Sequence, residues 1–432
     1  MNIALKATKN KNSGRENALI TGTVMLFSFC GFLLLMLQKP TPLTGVMLFA
    51  VPAAVWLVER LLPRMFAMDR LLLSLIDFLC ALGVLMQYRF SPVRGLNQCL
   101  NYAAGLVAMI GCALAVRFVR HWRVLVWPMI AACCGLLALP FLFRAGNARL
   151  GATAWVVSGS FRMQPSEIVK IAYVIILAYF LSRRRVVFSL IFTGVMLAFL
   201  IVQRDLGTAA IYCGTALVTL YAATSSILLI LGLLGAGAGT VAALYMLFKD
   251  SFFRTVQNRI ANWLDPFATY TQLGGGYQMV HALIAMANGG WWGTGLGLGN
   301  ASVIPEYHND FIFSTIMNEF GLVFSVLVLC VYALIVLRGA DIALRSTSAF
   351  HALLAMGCAA LLAVQTFIII GGITKFIPMT GVTVPFLSYG GTSLVSCMGI
   401  MGLIQGVASR NERILHEDQR LAEGDMAEEE AP

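Results

Sequence analysis

Charge is scarce in this sequence. Only 12% of its 432 residues are Asp, Glu, Lys or Arg, against 59% that are hydrophobic, whereas a soluble domain is about one quarter charged. Uncharged runs recur between residues 18 and 407, so a fold surrounded by water is excluded and lipid must be the solvent for most of the chain. The runs are too long and too uniformly apolar for barrel strands, and a backbone in lipid has to satisfy its own hydrogen bonds. What remains is an all-α, polytopic membrane protein. Metal-ligand cysteine spacing is also missing, and nine of the ten cysteines sit inside apolar runs as small hydrophobes. A small-residue cleavage site is lacking after the basic start (Lys6, Lys9, Lys11, Arg15), so the run 18–38 reads as an uncleaved first span. The net charge of +10 does not indicate nucleic acid, because the basic residues gather in short loops between apolar runs.

At roughly 20 residues per span, the pattern predicts about twelve transmembrane helices. They fall near 18–38, 43–58, 71–87, 102–116, 124–143, 168–181, 186–202, 206–222, 227–248, 311–337, 352–370 and 394–407. Basic loops mark the cytoplasmic side: Arg60, Arg64 and Arg70; Arg117, Arg120 and Arg123; Arg183, Arg184 and Arg185; Arg338 and Arg345; Arg410 and Arg413. Both termini are then expected in the cytoplasm. Two long loops, 144–166 and 249–310, face outward. The second carries Gly274-Gly275-Gly276-Tyr277-Gln278 and a glycine run from Gly289 to Gly299 that does not spell a dinucleotide fingerprint. It is expected to form a shaped lid over a cleft at membrane level. Residues 411–432, ending in acids, are expected to be a disordered tail.

Ionisable residues at membrane depth are costly and mark candidate sites. The sharpest cluster is Glu306, His308 and Asp310, placed where the chain re-enters the membrane. Asp310 there suits a general base acting on a substrate partly in lipid, with a helix N-cap as the competing reading. Glu167 and Lys170, three apart after Gln164-Pro165-Ser166, share a helix face and read as a site pair or a packing ion pair. Asp205, in Gln203-Arg204-Asp205-Leu206-Gly207-Thr208, reads as a candidate or as a connecting turn. Lys249, Arg254, Arg259 and Lys375 offer positive charge on the outer face, suited to lipid headgroups or a pyrophosphate. Residues 377–393, with two prolines and a Gly pair, mark an irregular segment that must line a cavity or be buried.

These motifs together resemble the SEDS family of cell-wall polymerases (FtsW, RodA and SpoVE type). The likeness rests on Gln164-Pro165-Ser166-Glu167 with Lys170, Asp205-Leu206-Gly207-Thr208, Gly276-Tyr277-Gln278, the glycine run, Pro305-Glu306 with His308-Asn309-Asp310-Phe311-Ile312-Phe313, and Pro385-Phe386-Leu387-Ser388-Tyr389-Gly390-Gly391 with Ser393. It implies a ten-helix core over 70–410, two additional helices within 1–69, and a large extracellular loop. The implied activity is an inverting peptidoglycan glycosyltransferase that polymerises lipid II on the outer face of the bacterial cytoplasmic membrane and releases undecaprenyl pyrophosphate. Asp310 would be its essential carboxylate, supported by Glu306, His308, Glu167, Lys170 and Asp205. Trp155, Arg254, Arg259, Tyr277, Gln278, Lys375 and Ser388 would contact substrate. A divalent cation (Mg or Mn) or basic residues would offset charge on the leaving pyrophosphate, with no residue assigned to metal. A class B penicillin-binding protein would be the partner. Three departures from the family pattern stand out: Ala154 before Trp155, residues 267–272 in place of a second Asp-Pro, and Asn318-Glu319 in place of a paired acid. A lipid-linked precursor flippase and a non-catalytic scaffold are the alternatives.

Overall fold

The computed structural model describes residues 2–119, 121–142, 154–158, 161–248, 254–270 and 275–429. Arg120, Arg144, Lys249, Gly274 and Glu430 of the sequence reading lie outside them, as do the side chains of Lys6, Lys9, Lys11, Arg15 and Arg254. Five helices open the chain: α1 (Asn2–Gln38), α2 (Pro42–Phe66), α3 (Arg70–Phe90), α4 (Pro92–Phe118) and α5 (Trp122–Leu142). A short antiparallel pair, β1 (Val156–Ser158) and β2 (Phe161–Met163), precedes α6 (Pro165–Ser182), α7 (Val186–Val202), α8 (Leu206–Thr224) and α9 (Ile227–Phe248). The second long loop, which carried no visible fold in the sequence, contains α10 (Arg254–Leu264) and α11 (Gly275–Gly289). The chain closes with α12 (Ile312–Leu344), α13 (Ala349–Ile373) and α14 (Gly391–Glu429).

Each of the twelve expected spans coincides with a helix, but among the described residues only ten are long and apolar enough to cross a bilayer. The helix α7 and residues 227–240 of α9 are apolar but shorter, so the figure of twelve is not established. In the segment expected to be a tail, α14 runs on to Glu429. Residues 410–429 are rich in Glu, Arg, Leu and Ala, all good helix formers.

Burial separates the central helices from the lipid-facing ones. The most apolar stretches of α3 and α14 are 83% buried, whereas those of α4 and α5 are only 22% buried. Small residues bring α14 and α4 together: a Cβ on Gly402 would meet Met109 O at 2.2 Å. Lipid tails give helices no hydrophobic reason to associate, so close backbone approach of this kind is what holds such a bundle.

The 33 residues of α12 would run about 50 Å as one straight helix, well beyond a hydrocarbon core of about 30 Å. The helix is broken at Gly321 (φ 82°, ψ 176°). The glycine run fills the break: Thr294 N donates to Asn318 O (2.9 Å), Gly295 N to Glu319 O (2.9 Å), and Leu322 N to Gly290 O (2.9 Å). Backbone groups freed by the kink are thus satisfied within the membrane-embedded protein. The expected lid is, in this part, an insert that completes a broken helix.

Side-chain locks fix both ends of α3. At its start Asp69 accepts from Leu72 N (2.9 Å) and pairs with Arg338 at 2.6 Å, while Gln405 donates to Asp69 O (3.0 Å). At its far end Gln87 reaches the loop before α12. The alternation of helices therefore puts the basic loops at one end of the bundle and Asp310 at the other.

Candidate active site

The loop before α12 turns on Glu306, whose φ of 54° lies in the left-handed region. Asn309 N donates to Glu306 O (2.9 Å) and Asn309 Nδ2 to Glu306 Oε2 (2.8 Å), closing a tight turn. That turn is fastened to the irregular segment before α14. Ser388 Oγ donates to Asn309 O (2.8 Å) and accepts from Val384 N (2.7 Å), and Tyr389 N donates to His308 O (3.0 Å). Gln87 Nε2 donates to both His308 O (2.9 Å) and Leu387 O (3.2 Å). Two segments more than 70 residues apart in sequence become one rigid wall, and Ser388 is part of its frame.

Asp310 is half-buried at the top of this wall. Phe311, not Asp310, holds the N-cap position of α12, and no side-chain cap bond is made, so the helix-cap reading fails. Its carboxylate accepts no hydrogen bond among the described residues, and it faces Gly381, where an added Cβ would lie 3.4 Å from Oδ2. Desolvation, reinforced by the Glu306 carboxylate and opposed by the Arg259 guanidinium, raises its pKa from 3.8 to about 7. A carboxylate with no hydrogen-bond partner, titrating near neutrality, has the properties of a general base.

Arg259, on α10, donates from Nη1 to Thr380 O (3.0 Å). Burial lowers its pKa, opposed by attraction to Asp205 and Asp310, so one guanidinium serves two carboxylates. On the same helix Trp263 Nε1 donates to Lys375 O (3.1 Å), docking α10 on the turn after α13. Asp205 does cap α8, accepting from Thr208 N (3.1 Å), and also accepts from Gln164 Nε2 (2.9 Å). Its pKa is raised, chiefly by burial. A Cβ on Gly207 would meet Thr380 O at 3.2 Å, so the start of α8 packs on the segment that carries Arg259's acceptor. His308 lies 4.0 Å from Glu306. Desolvation and Arg94 lower its pKa against the pull of Glu306, which favours the neutral ring. Around this group, Ser166 Oγ, His308 Nδ1, Asn309 Oδ1 and Thr380 Oγ1 are buried with no hydrogen-bond partner among the described residues, an arrangement that is costly unless water or a ligand supplies the partners.

Beneath it, Lys170 Nζ donates to both oxygens of Glu167 (2.8 Å each) and to Gln365 Oε1 (3.1 Å), all fully buried. Ser396 Oγ donates to Glu167 (2.9 Å) and Gln365 Nε2 to Thr383 O (3.1 Å). The pair ties α6, α13 and α14 to the wall from below and does not itself reach Asp310, which favours a positioning role.

Other expected contacts are not joined to Asp310 by any described interaction. Trp155 is 44% exposed beside the hairpin, and Ala154 before it is buried. Tyr277 packs at a tilt against His281 (4.2 Å) and Tyr270 (5.4 Å) in an aromatic group of its own. Gln278 is half-buried on α11. Arg254 opens α10, but its side chain is outside the described residues. Arg89, outside every sequence motif, pairs through its guanidinium with buried Glu319 at 2.7 Å and donates to Gly299 O (2.6 Å), while Gly297 N donates to Glu319 (2.9 Å). An Arg ending an apolar run was the available signal.

The family model described as "Cell cycle protein", for FtsW, RodA and SpoVE, matches residues 59–413. The chain belongs to the FtsW/RodA/SpoVE family. It is 33% identical over 362 residues to a probable peptidoglycan glycosyltransferase FtsW of Geobacter metallireducens, covering 79% of this chain and 95% of that one. It is 32% identical over 385 residues to the peptidoglycan glycosyltransferase RodA of Mycobacterium tuberculosis, covering 80% and 79%. A solved chain from a peptidoglycan synthase complex that coordinates polymerisation and crosslinking superposes with a TM-score of 0.66 at 26% identity, covering 80% of this chain and 98% of its own. Within this family, the Asp310 cluster lies inside the matched core, and α1 with most of α2 precedes it.

Proposed function

We propose that this protein is a peptidoglycan glycosyltransferase that joins lipid II units at the Asp310 end of the bundle, the extracellular side, with Asp310 as general base. The activity rests on family membership and on relatives named for it. The observation that carries the residue assignment is the Asp310 carboxylate, free of hydrogen bonds among the described residues and poised near pH 7 beside Arg259. In the reaction, the acceptor sugar hydroxyl loses its proton to Asp310 as its oxygen attacks the anomeric carbon of the lipid-linked donor. The bond from that carbon to the pyrophosphate oxygen breaks with inversion, and the electron pair leaves with undecaprenyl pyrophosphate. Arg259 would offset that developing negative charge.

A divalent cation is an alternative carrier of positive charge. Among the described residues no group of three or more His, Cys, Asp or Glu gathers to hold a metal ion, and no step is routed through one. The partner is a class B penicillin-binding protein, a reading supported by the structural likeness to a chain from a complex that polymerises and crosslinks. The test is polymerisation of purified lipid II by the wild-type chain and by Asp310→Ala, each with and without the co-purified partner. Glycan strands from wild type and none from a folded Asp310→Ala support the reading. Equal polymerisation by both removes Asp310 from it, and none from wild type with its partner removes the activity.

A further inference from the structure

The family match begins at residue 59, so α1 and most of α2 are the part of this chain that membership explains least. Between the membrane entry of α1, the end of α2 and the start of α3 lies a cavity of about 300 Å³. Arg60, Arg64 and Arg70 line it together with Glu59, Thr21 and Trp56. None of the three arginines forms a salt bridge among the described residues, although Glu412 lies within electrostatic reach of Arg70. The Arg60 guanidinium sits 5.5 Å over the Trp56 ring. Thr21 Oγ1 donates to Glu59 Oε2 and Ser74, which also lines the cavity, interacts with the same carboxylate, while Glu59 Oε1 is buried with no hydrogen-bond partner among the described residues. The cavity therefore asks for a ligand that is anionic and also offers a hydrogen-bond donor.

A second feature continues from the first. An apolar groove of about 670 Å³ shares Met25 and Trp56 with the cavity and runs between α1 and α2 past Phe29, Phe49 and Pro52. Its direction is fixed by the other ends of the two helices. Gln38 Nε2 donates to Leu296 O (2.6 Å), and the Thr44 and Tyr88 hydroxyls bond at 3.0 Å, both on the Asp310 side. The groove thus leads from the basic cavity toward the middle of the bilayer. The 21 residues of α3, about 30 Å long, separate Arg70 from Gln87 and the Asp310 loop, so the cavity opens on the leaflet opposite the reaction.

We propose that cavity and groove together hold one anionic glycerophospholipid, of the phosphatidylglycerol type, in that leaflet. Its phosphodiester lies among Arg60, Arg64 and Arg70, a headgroup hydroxyl donates to Glu59 Oε1, and one acyl chain occupies the groove. Three guanidinium groups against one carboxylate select negative charge, and guanidinium matches phosphate bidentately. A basic pocket between membrane helices beside the bilayer surface is a recurring way to hold a lipid headgroup. The lipid would bind α1 and α2 to the core at the end away from the site.

The experiment uses the full chain, purified and delipidated in a neutral detergent. Retained lipid is counted by native mass spectrometry, and thermal unfolding is followed against added dioleoyl phosphatidylglycerol, phosphatidylethanolamine, phosphatidylcholine or inorganic phosphate. Phosphatidylglycerol is expected to stay bound at one per chain and to raise the unfolding temperature, with the other three well behind. The triple variant Arg60→Gln/Arg64→Gln/Arg70→Gln should weaken retention about fivefold per arginine, on the order of a hundredfold in all. Ala53→Trp fills the groove without touching a charge and should also weaken it. Arg183→Gln/Arg185→Gln, which removes charge from another loop at the same end of the bundle, should not. Equal retention of phosphatidylcholine, equal stabilisation by inorganic phosphate, equal weakening by the loop variant, or unchanged retention in both cavity variants would each overturn the assignment. The lipid comparison on wild type needs no variant to fold.

Discussion

If Asp310 works as a base held near pH 7 by opposing neighbours, its titration should move in opposite directions when those neighbours are removed one at a time. Burial and Glu306 raise its pKa, and Arg259 lowers it. An opposite charge at this half-buried position contributes on the order of 1 kcal/mol at an effective dielectric near 20, and about 1.4 kcal/mol corresponds to one pKa unit. Arg259→Gln should therefore carry the apparent pKa of polymerisation from about 7 to about 8. At pH 7 the ionised fraction then falls from about one half to about one tenth, a loss of about fivefold that is regained near pH 9. Glu306→Gln removes a like charge, so its profile should shift toward acid and its activity below pH 6 should exceed wild type. The assay is the initial rate of glycan formation from fluorescent lipid II across pH 5.5–9, with the partner present. An Arg259→Gln profile depressed evenly at every pH, with its midpoint unmoved, would refute the coupling and leave Arg259 acting on the leaving group alone. A Glu306→Gln midpoint moving toward base would refute the electrostatic account outright.

Three further outcomes follow from the geometry. Lys170→Ala leaves Glu167 buried and unpaired and should cost about 3–5 kcal/mol, whereas Lys170→Met with Glu167→Gln should recover much of that, as read by thermal unfolding in detergent. Gly293→Val would place a Cβ 2.2 Å from Glu319 O at a φ of 83°, so the insert that completes the kinked α12 should be lost at a cost of about 3 kcal/mol or more, seen as a lower unfolding temperature. Asp310→Asn should be more stable than wild type at high pH. A carboxylic acid whose folded pKa is raised from 3.8 to about 7 lowers stability progressively as pH rises from about 4 to 7, so the advantage should be largest above pH 7, about 2 kcal/mol after allowance for partial exposure, and should vanish near pH 4.

How much of this was legible in the sequence depends on how local each feature is. The helices were, because an uncharged run long enough for a bilayer needs no partner to be recognised. The count was not, since α7 and residues 227–240 of α9 are apolar but short, and hydropathy does not say whether neighbours compensate. Asp310 stood out because a carboxylate at the edge of an apolar run is costly wherever the rest of the chain goes. Whether it capped α12 or stood free could only be read from the cap itself. Glu167 and Lys170 were paired by their spacing, but their reach to Gln365 and Ser396 joins helices about 200 residues apart. Glu319 stood out only as a departure from the family pattern and Arg89 not at all, for the same reason, their separation of 230 residues being set by the packing of α3 on α12. The glycine run was visible as an irregularity. That it fills a break at Gly321 required knowing where α12 bends.

The central claim is that a single carboxylate takes the proton from the acceptor hydroxyl. Its most direct test is the single-turnover rate of lipid II polymerisation by Asp310→Asn, nearly isosteric and unable to accept that proton, alongside wild type and with both chains shown to be folded and bound to the partner. The account predicts a loss of about 10²–10⁴-fold that no pH restores. A rate within a few-fold of wild type at any pH would contradict it.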